Sequence, residues 1–526
     1  MDASARVLSA ALCLVLGSSM MGAEKVHDIQ DYGAKPGGKE LCTAAIQKAI
    51  DACAAGGGGT VRIPPGTFLS GALILRSKVA LLVDEGATLL GSTQRADYYG
   101  PPLDAQGRPT DGEPVFRNLI HGERLRDVAI RGKGTIDGSG AAFRTRKQKR
   151  PKNIYLANCR NVTIEDLQLR DAGCWMQHYR RCRDLTLRNL TVFNHAAFNN
   201  DGMNIDSCRD VTVTSCRVDS DDDGIVLKSL SPEPCRDVRI ADCTVSSHCN
   251  ALKMGTESGG GFVDIAIERC TVFSPKHSKS IYGRQRGLAG IALEIVDGGR
   301  LENVTVSDVD IQGVSVPIFL RLGNRARPYA KGAKPGVGTL RKVRLTNIRA
   351  RGTSAIGCAI AGLPGHPIDD VVLANVSLGF EGGGSRDDAR RAIPERPEAY
   401  PESTMFGTLP AYGLYCRHAR GLTFRNLELR IAAPDLRHAL VFDDVSGLAI
   451  DGFHAAFSPG AAPLIRMTDV QKATLRACSP KKKVDTLLRL EGKTTSGIVL
   501  KDSDTTNVGE VASISRDVPD GAFTQK

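Results

Sequence analysis

The chain has 526 residues, with 69 Lys and Arg against 58 Asp and Glu, a formal charge of +11, 56 Gly and a single Trp. Abundant turn residues and short apolar runs without long heptads exclude a helical bundle and point to a turn-rich β protein. After the N-terminus no apolar run is long enough to span a bilayer, and the positive balance gives a surface favourable to polyanions.

Arg6, the apolar run Val7 to Leu16 and small residues up to Ala23 read as an export signal, residues 1–23, with cleavage after Ala23. Cys13 follows Leu12 rather than a small residue and does not read as a lipidation site. The mature chain is therefore expected to be secreted or periplasmic. Export makes an acidic polysaccharide a better polyanion than nucleic acid; a merely basic surface is the other reading. Leu41 to Ala54 carries Ala45, Ile46, Ala49, Ile50 and Cys53 at helical spacing and ends at Gly56 to Gly59, which predicts a short N-terminal capping helix. Thr60 to Phe68 then opens the first β coil. The basic run Arg144 to Lys152 reads as a solvated loop near a cleft.

From residue 125 onward one motif recurs. Cys159-Arg160-Asn161-Val162, Cys182-Arg183-Asp184-Leu185, Cys208-Arg209-Asp210-Val211 and Cys235-Arg236-Asp237-Val238 begin 23, 26 and 27 residues apart. Weaker copies start at Leu125, Leu301, Leu340, Ile368, Arg420, Ser446 and Ser496. Each copy is a short alternating β segment entered through a polar turn, and the period is too short for a propeller blade. The fixed Leu framework of leucine-rich repeats is missing. The predicted fold is all-β, a parallel β-helix over residues 24–503, whose coils stack about 4.8 Å apart. Long gaps, such as that between Leu373 and Phe424, are expected to project as loops, and residues 504–526 to form a polar tail. The repeated Cys residues should be stacked, buried hydrophobes. Few disulfides are expected, with Cys42 and Cys53 as the local pair that could form one.

The segments Asn199-Asn200-Asp201-Gly202 and Asp221-Asp222-Asp223-Gly224 place three carboxylates about one repeat apart. Cleavage of a sugar bond needs one carboxyl group that keeps its proton and one that has lost it. Asp222 and Asp223 reach one cleft only from a turn or bulge. Solvated turn acids are the alternative for any single Asp; three at one-coil spacing favour catalysis. Asp219, Asp221 and Asp223 alternate like calcium ligands, yet no Gly-turn-Glu loop completes a site, so no metal or cofactor is expected. Trp175 and His178 read as either a sugar-stacking wall or packing.

Those residues resemble the family 28 glycoside hydrolases, the polygalacturonase and rhamnogalacturonase group. The likeness rests on Asn199, Asn200, Asp201 and Gly202, on Asp222, Asp223, Lys228 and Ser229, on Asp31-Tyr32-Gly33-Ala34 and on Trp175-Met176-Gln177-His178. It implies a right-handed β-helix, with Asp222 as general acid and Asp201 and Asp223 activating water, and inversion at the anomeric carbon. That outcome comes from the resemblance, since stacked carboxylates stand closer than the ~6.5–9.5 Å usual for inverting enzymes. Asn199, Lys228, His178, Asn250, Lys253 and Arg284 are the substrate-binding candidates. Two positions depart from the pattern: Asn250 stands where the family has the His of Gly-His-Gly, and Ala292 and Glu294 stand where Arg and Lys hold a substrate carboxylate. The implied activity is hydrolysis of pectic polysaccharide by a monomer, the linkage extending to rhamnogalacturonan or side chains. A pectate-type lyase on the same architecture would leave an unsaturated, ultraviolet-absorbing product. A non-catalytic β-helix adhesin would need no aligned acids.

Overall fold

The computed structural model describes residues 25–104, 108–275, 280–329, 332 and 334–526; the expected export signal lies outside them. Among the described residues no helix is long and apolar enough to cross a membrane. All but two of the strands belong to one continuous parallel arrangement, wound as a solenoid in which each coil pairs with the coil before and after it. Three strands per coil form three stacks through the central part of the chain. In one stack Val128, Val162, Leu185, Val211, Val238 and Ile265 lie in register, all buried. Ile130, Ile164, Leu187, Val213, Ile240 and Ile267 form a second inward row two residues on. No coil buries its apolar row alone, so each depends on its neighbours.

The repeated Cys-Arg-Asp signature has a separate physical reason at each position. The Cys points inward, and its thiol donates to a carbonyl of the preceding coil: Cys182 Sγ to Leu156 O at 3.4 Å and Cys208 Sγ to Tyr179 O at 3.3 Å. The Arg projects outward. The third residue takes the left-handed conformation that turns the coil, with φ of 54° to 58° at Asn161, Asp184, Asp210, Asp237 and Asp264. Asn and Asp tolerate it best after Gly. Burial pushes the Cys235 thiol up to about 12, which fits a packing role. None of the described cysteines is in a disulfide. The local bridge expected between Cys42 and Cys53 does not form; the Cys42 thiol donates to the Lys35 and Glu40 carbonyls at 3.3 and 3.4 Å.

The capping helix, α1, runs Thr43–Ala55 and buries Ile46, Ala49, Ile50 and Cys53. The C-terminal segment corrects the sequence reading. Rather than a tail after residue 503, Val508–Ile514 and Phe523–Gln525 pair with Val484–Glu491 and Ser496–Lys501 and extend the solenoid. Its polar composition reflects exposed positions of a last coil. The expected projecting loop spans 381–410, between the strands Ile368–Phe380 and Ala411–Ile431.

One outer face positions the site. Its strands present His121, Tyr155, His178, Asn204, Val226, Lys253, Ala292 and Phe319 outward in one register line. Before Lys253 this line is largely polar. After it, Ala292, Phe319, Ala359 and Tyr415 are covered by Ile393, Phe406 and Leu409 of the 381–410 loop.

Candidate active site

The acids sit in the turns that lead into this face. Met203 pairs with Ile225 and Ile225 with Leu252, which puts Asp201 level with Asp223 and Asp223 level with Asn250. Gly202 N donates to Asp223 O and Gly224 N to Asn250 O, at 2.9 and 2.8 Å. The Gly after each acid is a packing requirement: a Cβ at Gly202 or Gly224 would stand 2.3 Å from Val218 or 2.4 Å from Val245. Asp222 does not stack with them. It is held at the side of the turn, with its Oδ1 accepting from Asp223 N at 2.9 Å and its Oδ2 accepting from the Tyr282 hydroxyl at 2.6 Å. Ser220 and Ser247 hydroxyls donate to Asp222 O at 2.9 and 2.5 Å and fix the bend. Carboxylate oxygens of Asp222 and Asp223 therefore lie within 4.8 Å of each other, both facing one cleft as the turn chemistry requires.

Each acid has a distinct environment. Asp201 is 2 % exposed; burial, then the charge of Asp222, raises its carboxyl well above the usual range, against the pull of Lys228 at 3.6 Å. Asp223 accepts from Asn250 Nδ2 at 2.9 Å and faces Lys253 Nζ at 3.1 Å. Asn250 thus fills the expected His position with a donor aimed at an acid. Asp222 is more open to solvent than either. Burial therefore favours the protonated form of the Asp201 carboxyl.

The two lysines are part of the acids' support. Lys253 is 2 % exposed and lies between Asp223 and Glu294, the latter at 3.8 Å. Burial opposes its charge, but Asp223 and Glu294 outweigh it and its pKa rises. Glu294 is fully buried, which pushes its carboxyl up to about 8 despite Lys253, and it accepts from Thr256 Oγ1 at 3.3 Å. The Glu where a carboxylate clamp is expected is therefore buried against Lys253. Lys228 is 3.1 Å from Glu257 and stacks 4.9 Å above the Trp175 ring. Burial works against Glu257, but Lys228 wins and lowers its carboxyl to about 2. A depressed folded-state pKa stabilises the fold above the ordinary carboxylate range, and that contribution is lost as pH falls toward the folded value. Glu257→Gln is expected to lower stability at neutral pH and to flatten the loss of urea midpoint between about pH 4.5 and pH 2. Parallel midpoint curves for the two proteins would show that the pair contributes nothing.

His178 is buried and bonds Asp206 at 3.3 Å; burial lowers its imidazole to about 4 despite that carboxylate, and it abuts Trp175 edge-on at 4.9 Å. Trp175 is half-buried between Lys228 and Lys152. Asn199 accepts from Arg150 at 2.9 Å and its N–H donates to the Tyr282 hydroxyl at 2.7 Å. Arg284 lies over the Tyr282 ring and donates to Cys249 Sγ. Of the six substrate-binding candidates, Asn199 and Arg284 are partly exposed, while His178, Lys228, Asn250 and Lys253 are buried, His178 at the lining of the upstream cleft.

Three participants carry no local signal in the sequence. Tyr282 reaches Asp222 across 60 residues. Tyr400 and Glu402 come from the 381–410 loop: Lys253 lies 5.8 Å from the Tyr400 ring, and Glu402, raised by burial, faces Lys253 and Asp223. Upstream a cleft of about 1040 Å³ runs along the same face, its lining bearing seven Arg and Lys side chains, among them Arg117, Lys152 and Arg180, against Asp104 and Glu123. The basic run predicted as a loop supplies Lys149, Arg150 and Lys152 to this lining, and its Arg146 stacks 4.3 Å over Phe198.

Comparison with known proteins bears on this arrangement. A probable polygalacturonase of Vitis vinifera is 31% identical over 212 residues, 38% of this chain and 43% of that protein; the chain thus spans under half the length of that relative. An exopolygalacturonase of Platanus acerifolia is 23% identical over 397 residues, 68% of this chain and 91% of that protein. The hyperthermoactive exopolygalacturonase of Thermotoga maritima shares the fold, with a TM-score of 0.60 at 20% identity over 77% of this chain and 92% of that one. The sequence profile described as Glycosyl hydrolases family 28 matches residues 53–394, a span that contains Asp201, Asp222, Asp223 and both coils that carry them. By that match, and on the solenoid that holds the three acids, the chain belongs to family 28 of the glycosyl hydrolases.

Proposed function

We propose that this chain hydrolyses glycosidic bonds of galacturonate-containing pectic glycan, with inversion and from a chain end. The carrying observation is the cluster of Asp201, Asp222 and Asp223, next to a basic cleft whose Arg150 bonds Asn199. Acid-assisted departure of a sugar oxygen needs one carboxyl group that gives a proton and another that takes one. Asp222, the most accessible of the three, is assigned as the general acid that protonates the leaving oxygen. Asp223, held by Lys253, accepts the proton of a water that Asp201, beside Lys228, helps to orient. Inverting displacement places that water opposite the leaving group.

The basic cleft supports an acidic polymer as substrate, since a low-dielectric groove lined by one sign of charge concentrates the opposite one. The loop 381–410, packed over Ala292 and Phe319, walls the face on the far side of the acids. A groove open on one side favours removal of terminal units. Export of a monomeric enzyme, on the strength of the Arg6 to Ala23 segment, completes the reading.

The test is product analysis on defined galacturonan oligomers. Expected are single sugar units as the first product, with the anomer seen first by proton NMR opposite to that of the cleaved bond. An unsaturated product absorbing in the ultraviolet makes the protein a lyase. A retained anomer overturns the assigned roles, and an early ladder of oligomers overturns the chain-end mode.

A further inference from the structure

His195, Asp221 and His248 are spaced 26 and 27 residues apart, one coil in each case. Asn194 pairs with Ser220 and Ser220 with Ser247, so the residue after each stands at the same corner of three successive coils. This corner adjoins the acids but uses none of them.

The three side chains converge on one point. His195 Nδ1 is 3.3 Å from Asp221 Oδ1 and His248 Nδ1 is 2.8 Å from the same oxygen; donor atoms of all three lie within 4.8 Å of one another. His248 is fully buried, and neither of its ring nitrogens has a hydrogen-bond partner. Its Nδ1 is close to Asp221 but out of line for an N–H bond. A buried imidazole normally satisfies at least one nitrogen. His195 Nδ1 is in hydrogen-bond contact with Asp221 Oδ1, and two imidazole nitrogens gathered with a carboxylate oxygen in one buried corner form a donor set that suits a common cation. Ligands at ~2.0–2.1 Å from a tetrahedral zinc ion stand about 3.3 Å apart, close to the separations found here.

The outer atoms are also engaged as metal ligands require. The other nitrogen of His195, Nε2, faces Asp219 Oδ1 at 3.0 Å, the carboxylate–imidazole contact that orients a ligating His. The other oxygen of Asp221, Oδ2, accepts from Ile281 N at 2.6 Å. We propose that His195 Nδ1, Asp221 Oδ1 and His248 Nδ1 bind one first-row transition-metal ion of the zinc class. Nitrogen-rich donors select such ions over calcium or magnesium, which take oxygen ligands. Binding displaces whatever proton the two inward nitrogens carry and changes no oxidation state. Its consequence is structural: Asp221 precedes Asp222, and Ile281 precedes Tyr282, whose hydroxyl bonds Asp222. An ion at this corner fastens the segment 280–282 to the coil that carries the acid.

The full chain, stripped with chelator and dialysed, is titrated calorimetrically with Zn²⁺ and separately with Ca²⁺, and with Co²⁺ followed by its visible d–d absorption. Expected are one equivalent of zinc, no calcium, and tetrahedral cobalt bands. His248→Ala and His195→Ala should each weaken zinc binding at least ~10-fold and abolish the bands, and Asp219→Asn should weaken it by about 10- to 100-fold as an outer partner. Circular dichroism checks that the variants fold; if His248→Ala does not, His195→Ala, at a partly exposed position, removes a ligand with less disturbance and decides the question. Absence of zinc binding by the native chain, or unchanged binding in the His variants, overturns the site and leaves a proton-bearing His–Asp–His network.

Discussion

Asp222→Asn is expected to lower kcat by about 10²- to 10⁴-fold, the range for loss of a positioned general acid, with little change in Tm. The amide keeps the acceptor for Asp223 N or the contact to Tyr282, and the side chain is only half-buried, so the fold has little reason to move. Asp201→Asn and Asp223→Asn should fall comparably in rate, and their stabilities should separate them from Asp222. Asp223→Asn strips the nearest carboxylate from the buried Lys253 ammonium, leaving a charge whose desolvation is no longer compensated, so its Tm drops. Asp201→Asn removes a carboxyl that burial already disfavours as an anion, so its Tm holds or rises. Rates within a factor of two of native in all three variants would reduce the acids to turn residues; a Tm loss shared equally by all three would mean that the fold, and not the chemistry, was perturbed.

The second large effect concerns the sugar beyond the cut. Ala292 and Glu294, where the family resemblance places a carboxylate clamp, are both fully buried, and Glu294 is engaged with Lys253. Lys253 in turn belongs to Asp223. The partly exposed cation beside the acids is Arg284, and Glu402 faces it across the same wall. A galacturonate carboxylate there meets an acid as well as a base, and like charge in a partly dry site is unfavourable. Native kcat/KM should therefore be at least ~10-fold higher on a galacturonosyl bond to a neutral sugar than on homogalacturonan of equal length, about 1.4 kcal/mol in transition-state binding. Arg284→Gln is the reporter. If Arg284 only shapes the wall, both substrates lose equally; a selective loss on homogalacturonan, together with a native preference for it, would show that Arg284 has taken over the clamp and would sink the proposal.

Why some of this is legible in sequence and some not follows from how a solenoid is made. Its contacts join a residue to one about a coil away, so Val162, Leu185, Val211 and Val238 announce the stack by recurrence alone; the 21-residue spacing suggests that Asp222 stands over Asp201, whereas the register places Asp223 there. The αL role of Asn161 and Asp184 is likewise visible as an Asn or Asp at a fixed place in each copy. Tyr282 and Glu402 escape because each lies in an excursion from a coil, where spacing carries no information about the returning path. The burial of Glu294 against Lys253 escapes for a different reason: sequence shows both charges but not which one claims the other. The strands Val508–Ile514 and Phe523–Gln525 stay hidden because a coil with much of its surface in water lacks the strong apolar alternation that betrays the inner ones.

The loop 381–410 is rooted several coils away from the acids, yet its Tyr400 and Glu402 stand against Lys253. Reaction and selection are therefore inherited on separable stretches of chain. The stacking distance between adjacent coils fixes the spacing of Asp201, Asp223 and Asn250, and no change in a distant excursion alters it. A different excursion between Phe380 and Ala411 would re-cut the far wall of this face while the spacing of the acids, set by coil stacking, stays as it is.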